Sequence, residues 1–200
     1  MAYSDFTLNK LKQEFNININ QEVHLFSNIT PCLISGLLCE TLAENLPLAL
    51  AIDTEKARSE LIITPVLVEL RKIQKHQISF FSGIEFNVDT KRGLNGVCDF
   101  IISQAENIYE LTAPVIVMVE AKLEKIPKGL GQCIAEMLAT QIFNQREKQP
   151  IDSVYGIVTT GNLWKFLKLT DNEVYIDLDE YHINQIKTIM GILVDIAKPA

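Results

Sequence analysis

The sequence predicts a single α/β domain built on a mixed central β-sheet flanked by helices. Two segments, 55–74 and 130–145, place apolar residues at helical spacing, and short runs rich in β-branched residues lie between and after them. One of those runs, Val115-Ile-Val-Met-Val119, is apolar throughout. A strand apolar on both faces belongs in the interior of a sheet, and helices alternating with strands pack as layers on it. Two hundred residues, 48% of them apolar, are enough for one core, so residues 1–200 are expected as one domain.

The elements follow in chain order. Residues 1–53 are expected as a helical extension, with 21–50 forming one or two largely buried helices. Thr54 is a fitting N-cap for a helix over about 55–74, whose apolar positions include Ala57, Leu61, Val68 and Leu70. Pro65 is expected to kink it. Ile78–Phe81 and Ile84–Val88 read as two short strands, and Arg92-Gly-Leu-Asn95-Gly96 as a turn leading into a strand at Val97–Ser103. Pro127, Gly129 and Gly131 are expected to punctuate the chain ahead of the helix at 130–145. Strands at Ser153–Thr159, Leu163–Leu169 and Glu173–Ile176 then complete a sheet edge, before an amphipathic helix over about 182–197.

Composition restricts the function. The net charge of -7 argues against tight, non-specific binding to nucleic acid, yet the charge is uneven. Residues 58–170 carry 13 Lys and Arg against 12 Asp and Glu, whereas the last thirty residues carry two against six. A local basic groove therefore stays open as a reading. Cys32, Cys39, Cys98 and Cys133 show no metal-binding spacing, and the polar start at Met1–Lys12 is no signal peptide. The apolar run 31–52 is broken by Glu40, Glu44, Asn45 and Pro47, which fits a buried helix better than a membrane span. A cytoplasmic protein with reduced thiols and no membrane contact is expected.

The chemistry concentrates at the end of the apolar strand, in Val119-Glu120-Ala121-Lys122. Strand side chains alternate, so Glu120 and Lys122 share a face. A carboxylate and an amine there need partners, and a local ion pair between them is the simplest reading. Asp99, inside Val97-Cys-Asp-Phe-Ile-Ile102, adds a second carboxylate that converges on Glu120 if the two strands are neighbours. Two close carboxylates repel unless a hard cation lies between them, and magnesium takes one or two carboxylates plus water. Lys122 could then orient a water and stabilise charge developing on a phosphate.

Asp99 followed by Glu120-Ala121-Lys122 resembles the signature of the PD-(D/E)XK nucleases, the superfamily of many restriction and repair endonucleases. Glu60, in Arg58-Ser-Glu-Leu-Ile-Ile-Thr-Pro65, matches the helical glutamate of that group. Gln132, in Gly131-Gln-Cys-Ile-Ala-Glu136, matches a glutamine on the helix after the catalytic strand. Val158-Thr-Thr-Gly161-Asn-Leu-Trp164-Lys-Phe166 is similar to the strand and turn that close the sheet in several branches. The resemblance spans roughly 55–170, with Cys98 where many members carry proline.

It implies a restriction endonuclease-like sandwich and a magnesium-dependent endonuclease acting on DNA, with manganese able to substitute. Asp99 and Glu120 would be direct metal ligands, joined by the backbone carbonyl of Ala121, and Glu60 an outer ligand. Lys122 would be the catalytic lysine, with Gln132 in support. Many such enzymes dimerise to cut both strands, so a homodimer is an expectation too. The alternatives are an inactive nuclease-fold module that binds nucleic acid or protein, and a purely structural carboxylate cluster.

Other residues carry less. Lys91, Arg92, Lys125 and Lys128 are candidates for phosphate contact, with solvated positions as their default reading. His24, His76 and His182 lack ligand spacing, Cys98 and Cys133 suit the core, and so do Trp164 and Phe166. Glu124 and Glu136 could enlarge a metal cluster, with solvated positions as their default reading.

Overall fold

The computed structural model describes residues 1–105, 107–123 and 125–198. Their architecture is α/β: an open, mixed, eight-stranded sheet with helices on both faces. The elements are α1 (Leu8–Phe15), β1 (Asn18–Val23), α2 (Gly36–Ile52), α3 (Glu55–Arg58), α4 (Thr64–Ile73), β2 (Ser79–Glu85), β3 (Val97–Ser103), β4 (Val115–Ala121), α5 (Ile126–Arg146), β5 (Val154–Thr159), β6 (Leu163–Thr170), β7 (Glu173–Asp177), β8 (Tyr181–His182) and α6 (Ile186–Ile196). The strand order is β1-β7-β6-β5-β4-β3-β2, and β8 pairs with β6. β4 runs parallel to β5 and antiparallel to β3, and β1 runs parallel to β7. No helix among the described residues is long and apolar enough to cross a membrane.

β4 lies in the middle of this order with every residue buried, which is what its continuous apolar run requires. Its side chains divide between two cores. Val117, Val119 and Ala121 join Trp164, Phe166 and the inner faces of α4 and α6. Met118 joins Val158, Leu167, Ile134 and Met137 beneath α5. By alternation Glu120 and Lys122 fall on the α5 face.

Several local expectations change. The segment 1–53 is not helical throughout, because residues 18–23 form an edge strand. Asn18-Ile-Asn-Gln-Glu-Val carries little apolar signal, and its pairing partner lies at residues 173–177, so only the tertiary fold specifies it. β6 and β7 are consequently interior strands, not the sheet edge. The helix expected within 21–50 spans Gly36–Ile52, and only Leu38, Leu42 and Ala49 on it are buried.

Pro65 does not break its helix. A π-helical turn at Ser59–Ile63 joins α3 to α4. Proline lacks the N–H that would bond the Leu61 carbonyl four residues back, and the Asn45 side chain donates to that carbonyl instead, at 2.9 Å. The two strands expected at 78–88 are one strand, β2, which passes through Gly83 at φ 65°. Pro127, Gly129 and Gly131 lie inside α5, which begins at Ile126. A Cβ on Gly131 would stand 2.2 Å from the Phe6 carbonyl oxygen, so this glycine serves close packing and not a turn. The terminal helix is shorter than expected, since β8 and a 3-10 turn at Ile183–Gln185 precede α6.

Candidate active site

β3 and β4 run antiparallel with Phe100 opposite Val119, so one step further along the ladder Asp99 meets Glu120. The strands part there, and the Asp99 side chain takes over from the backbone: the Ala121 N–H donates to Asp99 Oδ2 at 2.7 Å. Glu120 is buried, and its two oxygens are divided between two partners. Oε1 forms an ion pair with Lys122 Nζ. Oε2 accepts from Gln132 Nε2 on α5 at 2.8 Å. Gly129, one turn before Gln132, lets the helix press onto this pair: a Cβ there would come within 3.1 Å of Lys122 Cγ and 3.4 Å of Glu120 Cγ. Asp99, Glu120, Lys122 and Gln132, all four singled out in the sequence as catalytic, are thus brought together.

Glu60 is placed differently. It lies on the π-helical turn with its side chain 62% exposed and pairs with Lys56 at 3.3 Å. It shares with Asp99 a cleft of about 260 Å³, also lined by Glu55, Ser59, Ser82 and Gly83. The positive φ of Gly83, which lies opposite Asp99 between the pairs Ser82–Phe100 and Ile84–Cys98, shapes the floor of that cleft. Glu55, which the sequence did not single out, acts electrostatically on both Glu120 and Lys122. Its signal was its place one helical turn before Ser59 and Glu60, at the helix start.

Burial sets the electrostatics. It raises the Asp99 carboxyl, against the pull of the Ala121 N–H and Lys122. It pushes Glu120 up to about 8, helped by the charge of Asp99 and opposed by Lys122. The contact with Lys122 favours the charged carboxylate, so burial and the ion pair act on Glu120 in opposite directions. Burial works against the Lys122 amine, but Glu120 beside it outweighs that and holds the amine above its ordinary value.

Glu136 corrects an expectation. It is not solvated but fully buried on the sheet-facing side of α5, where Gln132 Nε2 also reaches its Oε1 at 3.2 Å. Burial and Glu120 raise its carboxyl well above the ordinary range. Its sequence signal was its spacing, four residues after Gln132 on the same face as Cys133 and Met137. Glu124 lies outside the described residues.

Among the basic residues, Arg92 stacks over the Phe15 ring, 4.2 Å from its centroid, rather than turning to Asp99. Arg58 donates to the Thr160 carbonyl and to Asp53. Lys91, Lys125 and Lys128 are exposed. His24 pairs with Asp179 and His76 with Arg71, both away from the cluster. Trp164, Phe166, Cys98 and Cys133 are core residues. Burial holds both of these thiols well above their ordinary range and so favours the uncharged thiol.

Among the described residues no three His, Cys, Asp or Glu side chains are gathered so as to hold a metal ion by themselves. An ion here would rest on the Asp99 and Glu120 pair, on backbone and on water. Hard oxygen donors, few carboxylates and an open cleft suit magnesium, which keeps most of its waters. Comparison with known proteins returns no match: no protein-family model, no curated protein and no solved structure matches the chain.

Proposed function

We propose that the chain is a magnesium-dependent nuclease of the PD-(D/E)XK class that hydrolyses phosphodiester bonds of DNA, on a restriction endonuclease-like sandwich. The observation that carries this reading is the meeting of Asp99, Glu120 and Lys122 where two adjacent strands part, beside an open cleft. Asp99 and Glu120 would hold the ion with the Ala121 carbonyl, and Glu60 would face it across the cleft. When bound, magnesium polarises a phosphate and makes a nearby water more acidic.

The remaining work belongs to the side chains. Gln132 holds one oxygen of Glu120, and the other, which pairs with Lys122, would turn to the ion when it binds. Lys122, released from Glu120, holds the attacking water in line and donates to the phosphate oxygen on which charge develops. Cleavage then leaves a 3'-hydroxyl and a 5'-phosphate, and cutting both strands would call for a second copy of the chain.

A second reading, a nuclease-fold module that binds without cutting, draws on the net charge of -7 and on the internal engagement of Arg58 and Arg92. The deciding experiment incubates supercoiled plasmid and short single- and double-stranded DNA with the protein in magnesium, manganese or EDTA. Metal-dependent nicking that falls about a hundredfold or more in Lys122→Ala and Asp99→Ala supports the nuclease. Absence of cleavage together with absence of magnesium or manganese binding by calorimetry favours the binding module.

A further inference from the structure

We propose that Glu136 is a positioning residue: it fixes the side-chain amide of Gln132, and through it the rotation of the Glu120 carboxylate, so that one chosen oxygen of Glu120 faces Lys122. The geometry rests on the two hydrogen bonds of the Gln132 amide, and its consequence for catalysis rests on the nuclease reading.

Gln132 Nε2 carries two hydrogens and has two acceptors, Glu120 Oε2 at 2.8 Å and Glu136 Oε1 at 3.2 Å. The nitrogen is clamped between two carboxylates. A flipped amide would aim its oxygen at Glu120 Oε2 and Glu136 Oε1, the two oxygens that now accept, so the donor orientation holds as long as neither of those oxygens carries the proton. With Oε2 tied to this clamp, Glu120 presents Oε1 to Lys122 and can offer an incoming cation one oxygen only. Lose Glu136, and Gln132 keeps a single anchor and regains torsional freedom, and Glu120 with it.

The residue type at position 136 argues against mere packing. Its neighbours on the buried face of α5 are Cys133, Met137 and Thr140, and the side chain is fully buried. Among the described residues its Oε2 meets no hydrogen-bond donor other than the Cys98 thiol, a weak one. A buried acceptor left unmet costs about 1–3 kcal/mol, so methionine would suit the fold better there. A costly carboxylate that bonds the side chain holding Glu120 Oε2 is better explained by the site than by the core. Glu136 also touches the second strand of the site through Cys98, the neighbour of Asp99. It therefore stands behind both carboxylates.

The experiment compares wild type, Glu136→Met and Glu136→Gln. It reads the side-chain NH2 signals of Gln132 by 15N NMR without metal, then manganese binding by calorimetry and manganese-dependent plasmid nicking. In wild type both Gln132 hydrogens should exchange slowly. In Glu136→Met, which keeps the volume and removes the acceptor, the pair should shift and exchange faster, with manganese affinity and nicking down about tenfold or more. Glu136→Gln, which keeps an acceptor oxygen, should restore the signals and most of the binding.

Unchanged Gln132 signals in a folded Glu136→Met would overturn the proposal, as would a Glu136→Gln as defective as the methionine variant. Should Glu136→Met not fold, the wild-type exchange rates still decide, because freely exchanging Gln132 hydrogens are incompatible with the clamp. A wild type that neither binds manganese nor nicks DNA sinks the nuclease reading alone, and the NH2 signals then test the clamp by themselves.

Discussion

Two long helices invert the usual distribution of polar and apolar residues, in opposite senses. α5 buries Glu136, Thr140 and Asn144 against the sheet, whereas α2 leaves Leu37 and Leu48 exposed at 70% and 52%, with Leu50 and Ile52 beside them. A buried polar group or an exposed apolar patch is more informative than either opposite. On α5 Thr140 bonds back to the Glu136 carbonyl of its own helix, at 2.9 Å, and the other buried polar side chains reach β4 or the site. Asn144 accepts from the Val115 N–H at 2.9 Å and donates to the Val115 carbonyl at 2.7 Å, standing in for a strand partner at the start of β4. Gln132 and Glu136 hold its far end, where Glu120 lies. α5 is thus pinned to β4 at both ends by side chains, and α2 is held by a narrow apolar seam, by Asn45, which donates to the Leu61 carbonyl, and by Glu69, which accepts from the N–H and hydroxyl of Ser35.

The strongest way to break this contrast is at Asn144. Asn144→Ala leaves a buried N–H and a buried carbonyl of Val115 unmet, at about 1–3 kcal/mol each. The denaturation midpoint should fall by the equivalent of about 2–4 kcal/mol. A loss under about 1 kcal/mol, measured by urea unfolding, would show that backbone rearrangement satisfies Val115 and that the pin is dispensable.

One substitution made in both helices should give opposite signs. Gly131→Ala drives a Cβ to 2.2 Å from the Phe6 carbonyl oxygen, backbone that no side-chain rotation relieves. It should cost about 1–3 kcal/mol by forcing the segment before α1 away from α5. Gly36, the first residue of α2, has open space where an added methyl would stand, with nothing within 4 Å, and no positive φ. Gly36→Ala should stabilise by up to about 1 kcal/mol, chiefly by restricting the unfolded chain. Equal effects in thermal melts would erase the distinction between a packed and an open helix start.

The same contrast explains what the sequence reveals and what it hides. The strands β3, β4 and β5 and the body of α5 are legible because their apolar periodicity is strong and local. Asp99, Glu120 and Lys122 are legible because strand alternation fixes side-chain direction, and Gln132 because its place after Glu120-Ala121-Lys122 resembles a family signature. β1 is not, because its partner is about 150 residues away and its own pattern is polar. The start of α5 is hidden because Gly129 and Gly131 look like turn residues, whereas they are the means by which the helix approaches Glu120 and Phe6. Glu136 reads as solvated because charge normally implies water, and only the packing of α5 on β4 reveals its burial. α2 reads as buried from its apolar content, which the fold exploits on one seam alone.

The polar face of α5 also predicts a pH signature. Burial raises Asp99, Glu120 and Glu136, so the folded chain holds protons there that the unfolded chain releases. Stability contributed by a raised carboxyl is fully present below its unfolded value, and it is lost as pH rises toward the folded one. For Glu120 that window runs from 4.5 to about 8. The metal-free protein should therefore lose stability across this range, and Glu120→Gln should flatten the slope without abolishing it, since Asp99 and Glu136 act in the same sense. A variant as steep as wild type in urea titrations at several pH values would remove Glu120 as a source.

α2 provides the mildest and most discriminating comparison. Its outward leucines bury little, so replacing them removes few contacts from the fold. Leu37→Ser and Leu48→Ser, alone or together, should leave stability within about 0.5 kcal/mol of wild type, as surface changes do. They should raise solubility, because they remove large apolar side chains from the surface. A fall in midpoint comparable with that of Asn144→Ala would mean that these leucines are covered in solution. Unfolding that then depends on protein concentration would trace the cover to association of the chain with itself.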